Sequence, residues 1–179
     1  MITKPKRRRF KTRFAAFVAG SVDGRISLEK RARPDWTSKE DWNFLQNSLK
    51  RFDAVVVGRN TYLAAKANLK KRNTYVLSRT LSSLKKEGSV TFVNPQKTDL
   101  RKLLAAHRNI AVLGAGEVYQ YMLDRGMLNE LFVTVEPLIF GRGNTMFSGG
   151  RKNRKLMLRA VRRLNKKGTL LLHYDIARS

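Results

Sequence analysis

The stretch Asp53-Ala-Val-Val-Val-Gly-Arg-Asn-Thr-Tyr62 constrains this chain more than any other. Residues 54–57 are small or β-branched and wholly apolar, the composition of a strand buried on both faces inside a parallel sheet. Gly58 ends the run just before a segment able to start a helix. At such a corner the first backbone N–H groups are unpaired and the helix dipole is positive, so a phosphate is well received. Arg59 and the Thr61 hydroxyl add charge and a hydrogen bond. The same residues also read as an ordinary strand-to-helix turn with a solvated arginine, and this stretch alone does not choose.

The remaining pattern builds an α/β domain around that strand. Residues 14–19 form a first buried strand, ended by Gly20, and 21–34 form a long loop around an extended piece at 25–28. Loops of this length in a compact domain commonly serve as lids. Thr37 and Ser38 are N-cap candidates, Asp41 holds the capping-box position for Ser38, and Trp42, Leu45, Leu49 and Phe52 follow at helical spacing. These signals predict a helix over 39–51. Strands are predicted at 53–57, 74–78, 90–93 and 110–113, with helices at 60–66, 99–107 and 117–125. Strands alone follow at 130–136, 157–164 and 170–176, the last two joined by the hairpin connection Asn165-Lys-Lys-Gly168. The expected fold is α/β, a mostly parallel sheet with antiparallel C-terminal edge strands and flanking helices. One domain over 13–179 follows a basic, flexible lead-in at 1–12.

Charge narrows the function classes. Against 13 Asp+Glu stand 38 Lys+Arg, a formal +25, and such a surface attracts polyanions. The basic residues are spread along the chain, and no zinc-finger spacing, helix-turn-helix pattern or aromatic RNA-binding signature accompanies them. Nucleic acid is therefore expected to bind only non-specifically, and anionic small substrates are drawn in too. A nucleic-acid-binding protein on an enzyme scaffold is the alternative class. Absence of cysteine excludes disulfides, thiolate metal sites and cysteine nucleophiles. His107 and His173 lack acids at ligand spacing, so no metal is expected. No apolar run reaches the ~18 residues of a membrane span and no secretory signal is visible, which predicts a cytoplasmic protein.

Two corners carry the candidate site: Gly58-Arg59-Asn60-Thr61 and Gly114-Ala115-Gly116-Glu117. Ligands in open α/β sheets settle at the carboxyl ends of strands, so two corners on one rim can grip both ends of a dinucleotide. Tyr119 occupies the place of the third glycine of a Rossmann fingerprint, so the second corner is not that motif. Ser78-Arg79, at a strand exit, offers a hydroxyl and a guanidinium to a ribose phosphate. Asp41 is the one carboxylate placed for chemistry. Beside Trp42 its proton affinity rises, which suits proton donation or anchoring of an amino-pyrimidine edge. Capping Ser38 is the competing role.

The set Ala15-Ala-Phe-Val-Ala19, Val22-Asp-Gly-Arg-Ile-Ser27, Asp53 to Thr61, Val76-Leu-Ser-Arg79, Val112-Leu-Gly-Ala-Gly-Glu-Val-Tyr119 and Leu131-Phe-Val-Thr134 resembles, in order, the dihydrofolate-reductase-like superfamily. Its style is nearest to the reductase domain of the riboflavin pathway. The resemblance implies NADPH-dependent hydride transfer to a C=N carbon. It assigns the cofactor's phosphates to Gly58, Arg59, Asn60, Thr61, Leu77, Ser78 and Arg79. The second corner, Leu113, Gly114, Ala115, Gly116, Glu117 and Val118, falls beside the pyrophosphate. Ala19, Ile26 and Tyr119 fall beside the nicotinamide, and 22–36 matches a lid.

For the substrate, the resemblance to dihydrofolate reductases places Asp41 on the pterin-binding acid, Thr134 on the threonine supporting it and Arg72 on the arginine that meets the tail carboxylate. Trp36 and Leu45 complete that pocket. Asp41, Thr134 and Tyr119 are the implied catalytic set, and dihydrofolate is the expected substrate. A phosphoribosylamino-pyrimidine of the riboflavin pathway is the alternative. Against it, the positions expected to carry Arg, an acid and Glu in those reductases read Leu49, Ala65 and Gly114. A homodimer through the final strands is a further implication.

Overall fold

The computed structural model describes residues 11–28, 35–114, 116–147, 149 and 153–177. Residues 1–10 of the basic lead-in, 29–34 of the long loop, and Ala115 therefore lie outside the described residues. The first half of the chain forms β1 (Arg13–Ser21), β2 (Arg25–Ser27), α1 (Lys39–Leu49), β3 (Ala54–Gly58), α2 (Arg59–Ala64), α3 (Lys66–Leu69), β4 (Thr74–Leu77), β5 (Lys85–Glu87) and β6 (Val90–Val93). The second forms α4 (Leu100–Leu104), β7 (Asn109–Leu113), α5 (Gly116–Asp124), β8 (Glu130–Glu136), β9 (Asn144–Thr145), β10 (Leu156–Arg163) and β11 (Leu170–Ile176).

Nine strands make one sheet in the order β10-β11-β8-β1-β7-β3-β4-β6-β5. Strands β8, β1, β7, β3, β4 and β6 are parallel, whereas β11 and β10 close one edge and β5 the other in antiparallel fashion. The period-two alternation of β3 shows why its run is apolar throughout. Ala54 and Val56 enter one core with Leu104, Val118 and Met122 of α4 and α5, while Val55 and Val57 enter another with Leu49, Tyr62 and Leu69 of α1, α2 and α3. A strand sandwiched this way has no polar face to offer.

The chain leaves β1 for β3, β4 and β6, returns to lay β7 between β1 and β3, then crosses to β8 on the other side of β1. The carboxyl ends of β1, β7, β3, β4 and β8 consequently share one rim, where ligands bind in sheets of this kind. The predicted helix at 60–66 is divided at Ala65, whose φ of −121° and ψ of 22° interrupt the helical backbone. Two small elements, β5 and β9, escaped the periodicity, whereas the extended piece expected at 25–28 is present as β2. Lys85–Glu87 is entirely charged and becomes a strand only by pairing with β6, and β2 pairs with β9 in a separate two-stranded ribbon. Among the described residues no helix is long and apolar enough to cross a membrane.

Candidate active site

The two glycine corners stand side by side. Parallel pairing sets Val57 of β3 opposite Leu113 of β7, so Gly58 and Gly114 leave adjacent strands at the same rim. Their packing explains the glycines. A Cβ on Gly58 would come within 3.0 Å of Val118 Cγ2, and one on Gly114 within 3.3 Å of Val118 Cβ and 3.7 Å of the Gly58 amide nitrogen. Val118, on the first turns of α5, thus fills the angle between both corners and leaves no volume for another side chain. Ala115, the middle residue of the second corner, lies outside the described residues.

Tyr119 supports this arrangement from beneath. The ring is 1% exposed; its hydroxyl donates to the Phe17 carbonyl of β1 and accepts from the Gly114 N–H at 3.0 Å. Burial pushes the phenol far above its ordinary range. This corrects the expectation that Tyr119 flanks a nicotinamide: a fully enclosed ring presents no face to a ligand. The Gly114 N–H is likewise turned inward, so Gly114 serves the rim by lacking a side chain rather than by donating.

The phosphate-side residues lie where the strand exits put them. Arg59 and Asn60 are exposed at the start of α2, with Thr61 half-buried behind them. Ser78 Oγ meets Thr80 Oγ1 at 3.0 Å, and the Arg79 guanidinium donates to Glu117 on the first turn of α5 at 3.0 Å, a pair open to solvent. Leu77 is buried and Leu113 half-buried beneath the rim; Ala19 and Ile26 are half-buried at the end of β1 and on β2.

The acid half of the rim is assembled from separate segments. Ser38 caps α1 as its spacing predicts, its Oγ accepting from the Asp41 N–H at 3.2 Å. In a capping box the acid at this position would reach back to the cap residue's own N–H. Here that N–H goes instead to Glu136 Oε1 of β8, at 2.7 Å. Asp41 is half-buried, and desolvation raises its proton affinity; the nearby Thr134 and Thr37 hydroxyls oppose that rise and the Glu136 charge adds to it. The field of Asp41 also reaches the Tyr119 hydroxyl, so acid and glycine corner share one electrostatic neighbourhood. Glu136 is 3% exposed and accepts at its other oxygen from Thr169 Oγ1, at 2.6 Å. Sequence reasoning alone misses Glu136. The signal for it is the alternation of β8, which puts Phe132, Thr134 and Glu136 on one face, that of the α1 side.

The remaining expected residues divide. Trp36 packs edge-on against Phe140 at 5.0 Å, and its indole nitrogen is buried with no hydrogen-bond partner among the described residues. Leu45 packs with Phe44 into the α1-side core. Arg72 is engaged structurally, its Nη1 donating to the Leu49 carbonyl at the end of α1, at 3.0 Å. The lid expected at 22–36 is tied down at its base. Asp23 accepts from Ser21 Oγ at 2.6 Å and from the Phe140 and Gly141 N–H groups at 3.1 and 2.9 Å; led by the Ser21 bond, these contacts lower its pKa to about 2.

Comparison with known proteins adds independent findings. The family model of the RibD C-terminal domain matches residues 14–170. The uncharacterized protein YwjB of Bacillus subtilis (strain 168) is 26% identical over 168 residues, covering 88% of this chain and 94% of its own. Among solved structures, a pyrimidine reductase-like protein from Corynebacterium diphtheriae superposes with a TM-score of 0.75 at 16% identity, covering 94% of this chain and 93% of that one. A diaminohydroxyphosphoribosylaminopyrimidine deaminase/5-amino-6-(5-phosphoribosylamino)uracil reductase from Thermotoga maritima gives a TM-score of 0.70 at 18% identity, over 93% of this chain and 57% of that one.

Proposed function

The chain belongs to the RibD C-terminal domain family, and on that premise we propose that it is an NADPH-dependent reductase of a phosphoribosylamino-pyrimidine in the riboflavin pathway. The observation that carries the reading is the common rim. Gly58 and Gly114 leave adjacent strands side by side, each with a Cβ position crowded by Val118, and the Tyr119 hydroxyl anchors the second corner through the Gly114 N–H. Such a cradle suits a pyrophosphate pressed against backbone, and Arg59, Ser78 and Arg79 lie at strand exits suited to the outer phosphates. When bound, NADPH supplies the hydride. The chain's own residues orient the C=N carbon that receives it and bring a proton to the nitrogen, for which Asp41 is the carboxyl group at hand.

Dihydrofolate, the substrate expected first, becomes the second reading. The Thr134 hydroxyl beside Asp41 favours it. Against it, Arg72 is engaged with the end of α1, and solved structures that the chain resembles are named for riboflavin biosynthesis or for a phosphoribosylamino-pyrimidine reductase rather than for folate. Each folate match is a single residue counted from a landmark, and a matching residue type does not fix what the side chain touches. The test is the absorbance decay of NADPH with the purified chain and either the phosphoribosylamino-pyrimidine or dihydrofolate. Oxidation with the pyrimidine alone is expected; oxidation with dihydrofolate alone reverses the assignment, and oxidation with neither removes the reductase reading.

A further inference from the structure

Glu136 is a buried carboxylate that the proposed reaction does not use. It stands two residues beyond Thr134 on the same face of β8, and Ser38 joins it to Asp41, giving its N–H to Glu136 and accepting from the Asp41 N–H at its hydroxyl, so the two acids are near neighbours. Both Glu136 oxygens are fixed: one by the Ser38 N–H at 2.7 Å, the other by the Thr169 hydroxyl at 2.6 Å. Thr169 is held in turn by Asn165, which donates to its Oγ1 at 2.9 Å and accepts from its N–H at 3.2 Å. The hairpin between β10 and β11 is thereby connected to the start of α1.

A helix beginning Ser38-Lys-Glu-Asp41 has its own acid available to close the capping box. Were Asp41 to do so, its carboxylate would be spent on backbone at the helix start. Glu136 supplies the missing acceptor from another strand. We propose that Glu136 is a positioning residue: by taking the Ser38 N–H in place of Asp41, and by placing a fixed negative charge beside it, Glu136 keeps Asp41 turned to the rim as the carboxyl group that carries the proton.

The surroundings of Asp41 favour this division of labour. Near it are Glu136 and the Thr134 hydroxyl from β8 and the Thr37 hydroxyl from the segment before α1; the Tyr119 hydroxyl of α5 is turned to Phe17 and Gly114. The cations Lys39 and Lys167 act on the exposed Glu40, one residue earlier. The Glu136 charge adds to the desolvation that raises the proton affinity of Asp41, because a like charge nearby disfavours ionisation. Glu136 has a backbone N–H and a hydroxyl; Asp41 has two hydroxyls and a desolvated setting.

The inference rests on the reductase reading only for what Asp41 does with the proton, so its test uses neither substrate nor NADPH. The side-chain carboxyl of Asp41 is titrated by carbon-13 NMR in the ligand-free protein and in Glu136→Gln, which keeps an acceptor for Ser38 but removes the charge. The Asp41 midpoint is expected to fall by ~1 pH unit. Thr169→Val is the second variant, with Glu136 intact but stripped of its hydroxyl donor. There Glu136 loses one of the two donors that hold it, and the Asp41 midpoint is again expected to fall. An Asp41 midpoint unmoved in either variant overturns the proposal. Failure of wild-type protein to oxidise NADPH leaves this result standing and removes only the reductase reading.

Discussion

The two halves of the rim are built by opposite means. The glycine half works by omission: at Gly58 and Gly114 the absence of a side chain lets Val118 pack between two strand exits and leaves backbone exposed. The acid half works by accumulation, with Thr37, Ser38 and Asp41 from one segment, Thr134 and Glu136 from a second and Thr169 from a third. The first half is specified by short contiguous motifs, and the second exists only after the chain has folded. Substitutions in the two halves are therefore expected to separate, with chemistry failing in one and cofactor affinity or stability in the other.

The largest effect is expected at the acid. Asp41→Asn keeps the shape and the contacts to Thr134 and Thr37 but cannot exchange a proton. Turnover should fall by about 10²–10⁴, the range that a positioned acid or base contributes. NADPH affinity, measured by fluorescence titration, should stay within about twofold. A parallel loss of affinity would mean that the two halves are not separable.

Tyr119→Phe probes the opposite half without touching its surface. The variant strips the partner from the Gly114 N–H and from the Phe17 carbonyl, both beneath the rim. Leaving such groups unsatisfied costs about 1–3 kcal/mol each where water cannot reach them. We expect about 2 kcal/mol less stability in urea denaturation, together with weaker NADPH binding and a smaller change in turnover. A stability loss with unchanged cofactor affinity would show that the corner keeps its shape without the phenol.

Arg79→Ala should act more weakly and only on affinity. The guanidinium is solvent-exposed and already shared with Glu117, so a phosphate gains it only in competition. We expect roughly tenfold weaker NADPH binding, about 1.4 kcal/mol, with NADH binding unaffected. Equal losses for the two nucleotides would remove Arg79 from the 2′-phosphate.

The same division explains what is legible before folding. Glycine at the end of a buried strand is a local signal, so the corners, the strands that carry them and the antiparallel edge can all be read from the chain. Tyr119 is misassigned that way because its position beside a glycine turn outweighs its helical spacing with Met122, which puts it on the buried face of α5. Glu136 is passed over because a glutamate closing a strand reads as a solvated end. Only its register with Ser21 of β1, and its shared face with Thr134, reveals a buried acid. Spacing alone favours Asp41 as a capping acid, because the acceptor that takes the Ser38 N–H in its place lies ninety-five residues later.

The smallest expected effect, a slope in stability against pH, tests the acid half without any ligand. Asp41 has its proton affinity raised on folding, chiefly by desolvation. Between the unfolded carboxyl value of roughly 3.9 and the raised folded one, the native state holds the extra proton. Stability from this group is therefore full at low pH and lost as pH rises through that window. Asp23 runs the other way: with its pKa lowered to about 2 by the Ser21 hydroxyl and loop amides, its contribution is present above the unfolded value and lost as pH falls toward about 2. The Asp23 window lies below that of Asp41, so the two acids act on separate limbs of the pH profile. Asp41→Asn removes only the Asp41 contribution, so its stability relative to wild type should increase between about pH 3 and about pH 7 in urea melts. A difference that stays constant over that range would place Asp41 in ordinary solvent and dissolve the contrast between the two halves.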